Sequence, residues 1–281
     1  MHNMTVLVFT PLVFLIACLA GFLGALTGLG GGVVVTPALT LLLGVDLRYA
    51  MGASLVSVIA TSSGAAAAYV REGYSNIRIG MVLEIATTLG AVTGAFLSNK
   101  IPTSVLAIIF GIVLLQAAWQ ARQEHADKLA GESKDALATA LKLDGTYPGP
   151  EGPIHYAVRR VKTGFAMMFG AGTISGLLGI GSGALKVIAM DQAMRIPFKV
   201  STTTSNFMIG VTAAASAGIY LGRGYIDPGL AFPVMLGVLL GSLLGARRLA
   251  GTRTRILRLV FAMVVAILGL EMIFSGIARK I

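Results

Sequence analysis

Few side chains in this sequence are equipped for chemistry, and they gather at two glycine clusters. The clusters are Gly28-Leu29-Gly30-Gly31-Gly32 and Gly179-Ile180-Gly181-Ser182-Gly183. Just beyond the second stands Lys186, a basic residue inside an apolar run, and Thr202-Thr203-Thr204-Ser205-Asn206 open the next apolar segment. A helix that breaks and restarts presents unpaired N–H groups and the positive end of its dipole. Such an end suits an anion. The candidate binding set is therefore Gly30, Gly31, Gly32 and Val33 at the first cluster and Gly181, Ser182 and Gly183 at the second. Lys186, Thr203, Ser205 and Asn206 join it, because neutral hydroxyl and amide donors fit an oxyanion that must also be released. Glu84 is the candidate for coupling: it could carry a proton, or pair with Arg78 or with Lys186. Blander readings stand beside these. Glycines pack helices closely, Lys186 could snorkel to the interface, and the hydroxyls could bond between helices.

The elements that must hold these residues are membrane helices. Hydrophobic residues make up 56% of the 281, charged residues 12%, and mean hydropathy is +0.84. Apolar runs of roughly 20 residues, enough to cross ~30 Å of hydrocarbon, recur along the chain. Broken backbone at that depth is tolerated only against protein or around a cavity, and one break per half points to a transporter's site. The net charge of +10 sits mostly in short connections, as topology determinants do, and argues against nucleic acid. Neither cluster ends in Gly-Lys-Ser/Thr or follows a strand, so neither is read as a nucleotide loop. His2, His125 and His155 lie outside the apolar segments and the lone Cys18 lies in one, so no metal, cofactor or disulfide is expected. Tyr69, Tyr74, Trp119, Tyr220 and Tyr225, near segment ends, are read as interface anchors.

Two halves share one plan. Residues 1–121 form the first membrane repeat, 122–162 a polar linker, and 163–281 the second repeat. At an offset of 151 residues Gly28, Gly30 and Gly32 fall on Gly179, Gly181 and Gly183, and Gly90 falls on Gly241. The linker reads as solvated, with a short amphipathic helix over His125–Leu143 and a breaker run over Gly145–Pro150. If each short piece after a cluster adds a net crossing, Arg71, Arg78, Arg122, Arg159, Arg160, Lys162, Arg195, Lys199, Arg247 and Arg248 share the cytoplasmic side with the linker. Five crossings per half place both termini outside and make the repeats inverted. The fold class expected is all-α: a polytopic helical membrane protein of two inverted repeats, broken at the glycine clusters.

The chain resembles the sulfite exporter TauE/SafE family of membrane transporters. The resemblance rests on the first cluster with Pro37 beyond it, Ala60-Thr61-Ser62-Ser63-Gly64, Leu83-Glu84-Ile85-Ala86-Thr87-Thr88-Leu89-Gly90, Gly176-Leu177-Leu178-Gly179-Ile180-Gly181, and Thr204-Ser205-Asn206-Phe207-Met208. It implies a multi-pass permease of a bacterial inner membrane, carrying small anions such as sulfur oxyanions or organosulfonates. The second half departs from the pattern, with Ser182 for a third glycine and Ile188 for the proline. The expected function is secondary transport by alternating access at a site between the repeats, without enzymatic activity. The partners are a small anionic substrate and the lipid bilayer. The other readings are an anion channel, an accessory membrane subunit or a membrane-embedded enzyme.

Overall fold

Helix follows the apolar sequence almost throughout. The computed structural model describes residues 6–27, 31–71, 74–122, 135–149, 152–181, 183–249 and 254–279. The first half holds α1 (Val6–Thr27), α2 (Gly32–Leu43), α3 (Leu47–Arg71), α4 (Ile77–Ser98) and α5 (Thr103–Arg122). The second holds α7 (Val161–Leu178), α8 (Gly183–Ile188) running on into a π-helical turn (Ala189–Ala193), α9 (Phe198–Gly222), α10 (Pro228–Leu249) and α11 (Thr254–Ile277). Among the described residues, Ile77–Ser98, Thr103–Arg122, Val161–Leu178 and Leu259–Ile277 are long and apolar enough to cross a membrane.

The offset of 151 survives in bonding detail. Ser54 Oγ donates to Gly32 O at 3.0 Å, and Ser205 Oγ donates to Gly183 O at 3.2 Å. Val45 N–H donates to Leu39 O, and Ile196 N–H to Met190 O, both at the exit of a short helix. That exit turns through a left-handed residue each time, Gly44 (φ 64°) and Arg195 (φ 60°). Glycine suits this conformation, whereas arginine adopts it at a cost.

Helix pairing obeys the same exchange of halves. α1 packs on α10 as α4 packs on α7, and α3 on α9 as α5 on α11. Glycines let backbones meet in the first two pairs. A Cβ at Gly241 would strike Cys18 O and one at Gly90 would strike Phe169 O, positions 151 apart. Gly237 abuts Phe14 and Gly241 abuts Cys18, so α1 and α10 run parallel. Gly111 meets Gly269 and Gly276 meets Ser104, so α5 and α11 run antiparallel. Gly52 lies against Tyr225 and Gly210 against Ser62, so α3 and α9 are antiparallel too.

Between the halves the structure departs from expectation. Within the span expected to be an amphipathic helix, only α6 (Ala136–Ala140) is helical among the described residues, with 123–134 outside them. Most of the expected breaker run is instead strand β1 (Gly145–Gly149), paired antiparallel with β2 (Gly152–Tyr156). The two prolines face one another, Pro148 opposite Pro153, where a two-stranded ribbon has edges to spare. Nor is this part merely solvated. Leu143, Tyr147, Tyr156 and Val158 are buried against Ile79 and Leu83 of α4 and Met190 and Met194 beside α8. Asn76, which caps α4, donates through Nδ2 to Tyr156 Oη at 2.7 Å and to Leu143 O at 3.1 Å. Burial pushes the Tyr156 phenol up to about 12, against the pull of its bond to Asn76. Asp135 caps α6 and accepts from Val161 N–H at 2.9 Å, which holds its carboxyl below the usual range.

Candidate functional site

Both glycine breaks come together on one residue of α3. Val58 lies against Gly32 through Cγ2 and against the Cβ direction of Gly181 through Cγ1, at 3.1 Å. Its equivalent on α9, Ile209, closes on Gly181 through Cγ2 at 2.7 Å. The crossing of α3 and α9 is therefore where the broken segments of the two halves converge. Gly179 (φ 66°) and Gly181 (φ 76°) are in the left-handed region, so any side chain there would be strained as well as crowded. Gly31, Gly32, Val33 and Gly183 are buried, the first two against Val238, Ser54 and Val58. Gly30 and Ser182 lie outside the described residues.

The second break returns along the helix that led into it. Gly179 abuts Met51 near the start of α3, while Met194 abuts Gly164 near the start of α7. Residues 179–194 thus travel back the length of α7, a net passage rather than a dip.

Lys186 sits on this returning segment with no surface exposed. It does not snorkel. Its ammonium donates to Thr212 Oγ1 of α9, and Thr212 in turn donates to Glu84 Oε1 of α4 at 2.6 Å. Lys186 Nζ and Glu84 Oε2 are 3.9 Å apart. Thr88 Oγ1 donates to the same Glu84 Oε1 at 3.2 Å. Of the pairings open to Glu84, the structure takes Lys186; Arg78 is exposed. Polar valences are left over among the described residues. Glu84 Oε2 is buried without a hydrogen bond, and a lysine ammonium has three donors, of which Thr212 takes one.

Nothing in the architecture demands this pair. At the offset of 151, Lys186, Thr212 and Glu84 correspond to Val35, Thr61 and Met235. At the corresponding positions the chain therefore carries apolar residues in place of the charges. An ion pair at depth costs desolvation that a hydrophobic pair does not. That asymmetry makes the Lys186–Glu84 pair the candidate site among the described residues.

The remaining candidates divide. Ser205 is spent on Gly183 O, tying α9 to the second break. Thr203 bonds to Tyr74 O at 3.0 Å and joins α9 to the α3–α4 turn, away from the lysine. Asn206 is 9% exposed and its amide has no hydrogen bond among the described residues. In α3, Ser57, Thr61 and Ser62 bond to carbonyls of their own helix. Two residues outside the candidate set matter. Thr212 bridges the pair; its signal was its place at the offset from Thr61, inside the quoted Ala60–Gly64 motif. Tyr220, read as an interface anchor, is wholly buried and donates to Gly176 O and Leu177 O at the end of α7.

Comparison with known proteins agrees with this architecture. A family model described as "Sulfite exporter TauE/SafE" matches residues 13–272. The "Probable membrane transporter protein YunE" of Bacillus subtilis (strain 168) is 25% identical over 266 residues, covering 92% of this chain and 95% of its own. The "Probable membrane transporter protein YdhB" of the same organism is 27% identical, covering 93% and 97%. A "Probable membrane transporter protein" of Xylella fastidiosa (strain 9a5c) is also 27% identical, covering 94% of each chain. No solved structure matches.

Proposed function

The chain belongs to the sulfite exporter TauE/SafE family of membrane transporters, and on that footing we propose that it carries small anions at the α3–α9 crossing, with Lys186 as the fixed positive charge. One observation carries the proposal: a fully buried lysine on the second broken helix, where the equivalent residue of the other half is Val35. The Lys186 ammonium and the Asn206 amide, which bonds to none of the described residues, would give an oxyanion charge and hydrogen bonds without a metal. The family description points to sulfur oxyanions as the first substrates to try.

Alternating access between inverted repeats is the mechanism we favour. Supporting it, corresponding helices of the two halves, α3 with α9 and α5 with α11, run antiparallel. A rotation that exchanges them then turns one half over. Five net passages per half would put the linker on the same side as the α10 end that carries Arg247 and Arg248. The concentration of Lys and Arg there favours the cytoplasm of a bacterial inner membrane. This is the reading of a carrier, not of an enzyme. Counterflow of labelled sulfite, thiosulfate and methanesulfonate in proteoliposomes tests it. Stimulation of uptake by unlabelled anion on the far side is the expected result. Flux without stimulation would make the protein a channel.

A further inference from the structure

We infer that transport is coupled to protons, one proton per anion, and that Glu84 carries the proton while the substrate takes its place beside Lys186. The inference rests on the anion-carrier reading above and adds the coupling ion and its site.

In the structure Lys186 and Glu84 form a neutral pair, bridged by Thr212, with Lys186 wholly buried and Glu84 nearly so. A carrier with this interior can return empty, because no net charge is buried. An anion that binds Lys186 displaces its carboxylate partner and leaves the site with one uncompensated negative charge. An unpaired buried charge is far too costly to keep, and it neutralises instead. A proton from water on the loading side then adds to Glu84, Lys186 remains an ammonium, and a monovalent anion leaves the loaded site neutral again. The two uncoupled states, anion without proton and proton without anion, each bury one net charge. Both are excluded by the same cost.

The bonding geometry accommodates the exchange. Glu84 Oε2 is buried with no hydrogen bond, so an oxygen stands ready for the proton. Thr212 Oγ1 has a second acceptor, Met208 O, at 3.0 Å. With Glu84 ionised, Thr212 donates to it. With Oε2 protonated, Oε1 still accepts from Thr212, whose hydroxyl can otherwise turn to Met208 O. Among the described residues, the elements packed against α4 and α8 carry few ionisable groups. α7 carries Lys162 in its first turn and none beyond, and α9 carries Lys199 in its first turn with Tyr220 and Arg223 near its far end. Asp191 lies in the π-helical turn, five residues past Lys186, and Arg78 precedes Glu84 on α4 and is exposed.

The test uses the purified full chain in proteoliposomes, with thiosulfate and methanesulfonate as probes, because neither titrates near neutral pH. The membrane potential is clamped at zero and the lumen is loaded with a pH dye. For methanesulfonate an inward acid step should drive accumulation of about tenfold per pH unit, with one proton entering per anion. Thiosulfate, a dianion, leaves one net negative charge in the loaded site even with a proton on Glu84, so it should be carried far more slowly than methanesulfonate. In Glu84→Gln, flux that remains should no longer respond to pH and should move no protons. Counterflow in the wild-type protein without any response to the pH step would overturn the coupling and leave the carrier standing. Absence of counterflow for every anion tested would overturn the carrier reading itself. If Glu84→Gln does not fold, the wild-type stoichiometry decides: one proton per anion supports the inference and zero refutes it.

Discussion

Lys186 on the second broken helix and Glu84 on the first half meet at 3.9 Å, each held by the hydroxyl of Thr212. The contact joins the two halves of the chain, and at the positions 151 residues away stand Val35 and Met235.

That comparison sets the energetics of the pair. Lys186→Met alone strands a carboxylate and should destabilise the fold by about 3–5 kcal/mol, whereas Lys186→Met with Glu84→Met should cost far less. Denaturant titration in detergent, arranged as a double-mutant cycle, measures both. Additive losses would show that the two side chains do not interact.

Close packing of α1 on α10 and α4 on α7 predicts matched sensitivity. Gly90→Val and Gly241→Val should each destabilise strongly, because the new Cβ meets backbone in both. Gly218→Ala should shift stability by less than about 0.5 kcal/mol, since no atom lies within 4 Å of its Cβ direction. Melting of detergent-solubilised variants checks this. A tolerant Gly241 beside an intolerant Gly90 would break the equivalence of the pairs.

Topology follows from helix direction. With Cys18 replaced, single cysteines at His155 and Arg78 should label together from the cytoplasm. Those at Lys100 and Arg223 should label from outside. Labelling of His155 and Arg223 from the same face would contradict the arrangement.

The linker should stay docked through Tyr156. Tyr156→Phe removes its bond to Asn76 and should loosen the hairpin, seen as faster proteolysis at Lys142. The phenol is pushed up to about 12 from 10, so docking is fully supported below pH 10 and weakens as pH rises toward 12. Cleavage at the same rate in both proteins at pH 8 would show that the bond does not hold the linker.

Much of this could be read from residue order alone. Helix bounds follow the apolar runs because lipid leaves the backbone no other partner. The offset linking Gly32 to Gly183 also links Ser54 to Ser205 and the carbonyls they cap. Lys186 stood out as a charge among apolar neighbours, and Glu84 as a carboxylate within a segment. The sequence left Glu84 a choice between Arg78 and Lys186, because the outcome depends on α8 returning beside α4 and α9 across more than a hundred residues of chain. Thr212 was missed for a related reason: a helical threonine usually bonds its own backbone, and only tertiary contact gives it another role. The hairpin at Gly145–Tyr156 was hidden by its prolines and glycines, which read as breakers until Tyr147 and Tyr156 find a surface to cover.

The central claim is that Lys186 supplies the charge of the anion site. The most direct measurement is the dissociation constant of thiosulfate for folded Lys186→Met, Lys186→Arg and wild-type protein in nanodiscs. A charge-assisted hydrogen bond contributes roughly 1.5–3 kcal/mol, so Lys186→Met should bind about ten- to more than a hundred-fold more weakly. Lys186→Arg should keep part of the affinity, since it retains the charge on a bulkier planar head. An unchanged constant for Lys186→Met would remove the lysine from the site.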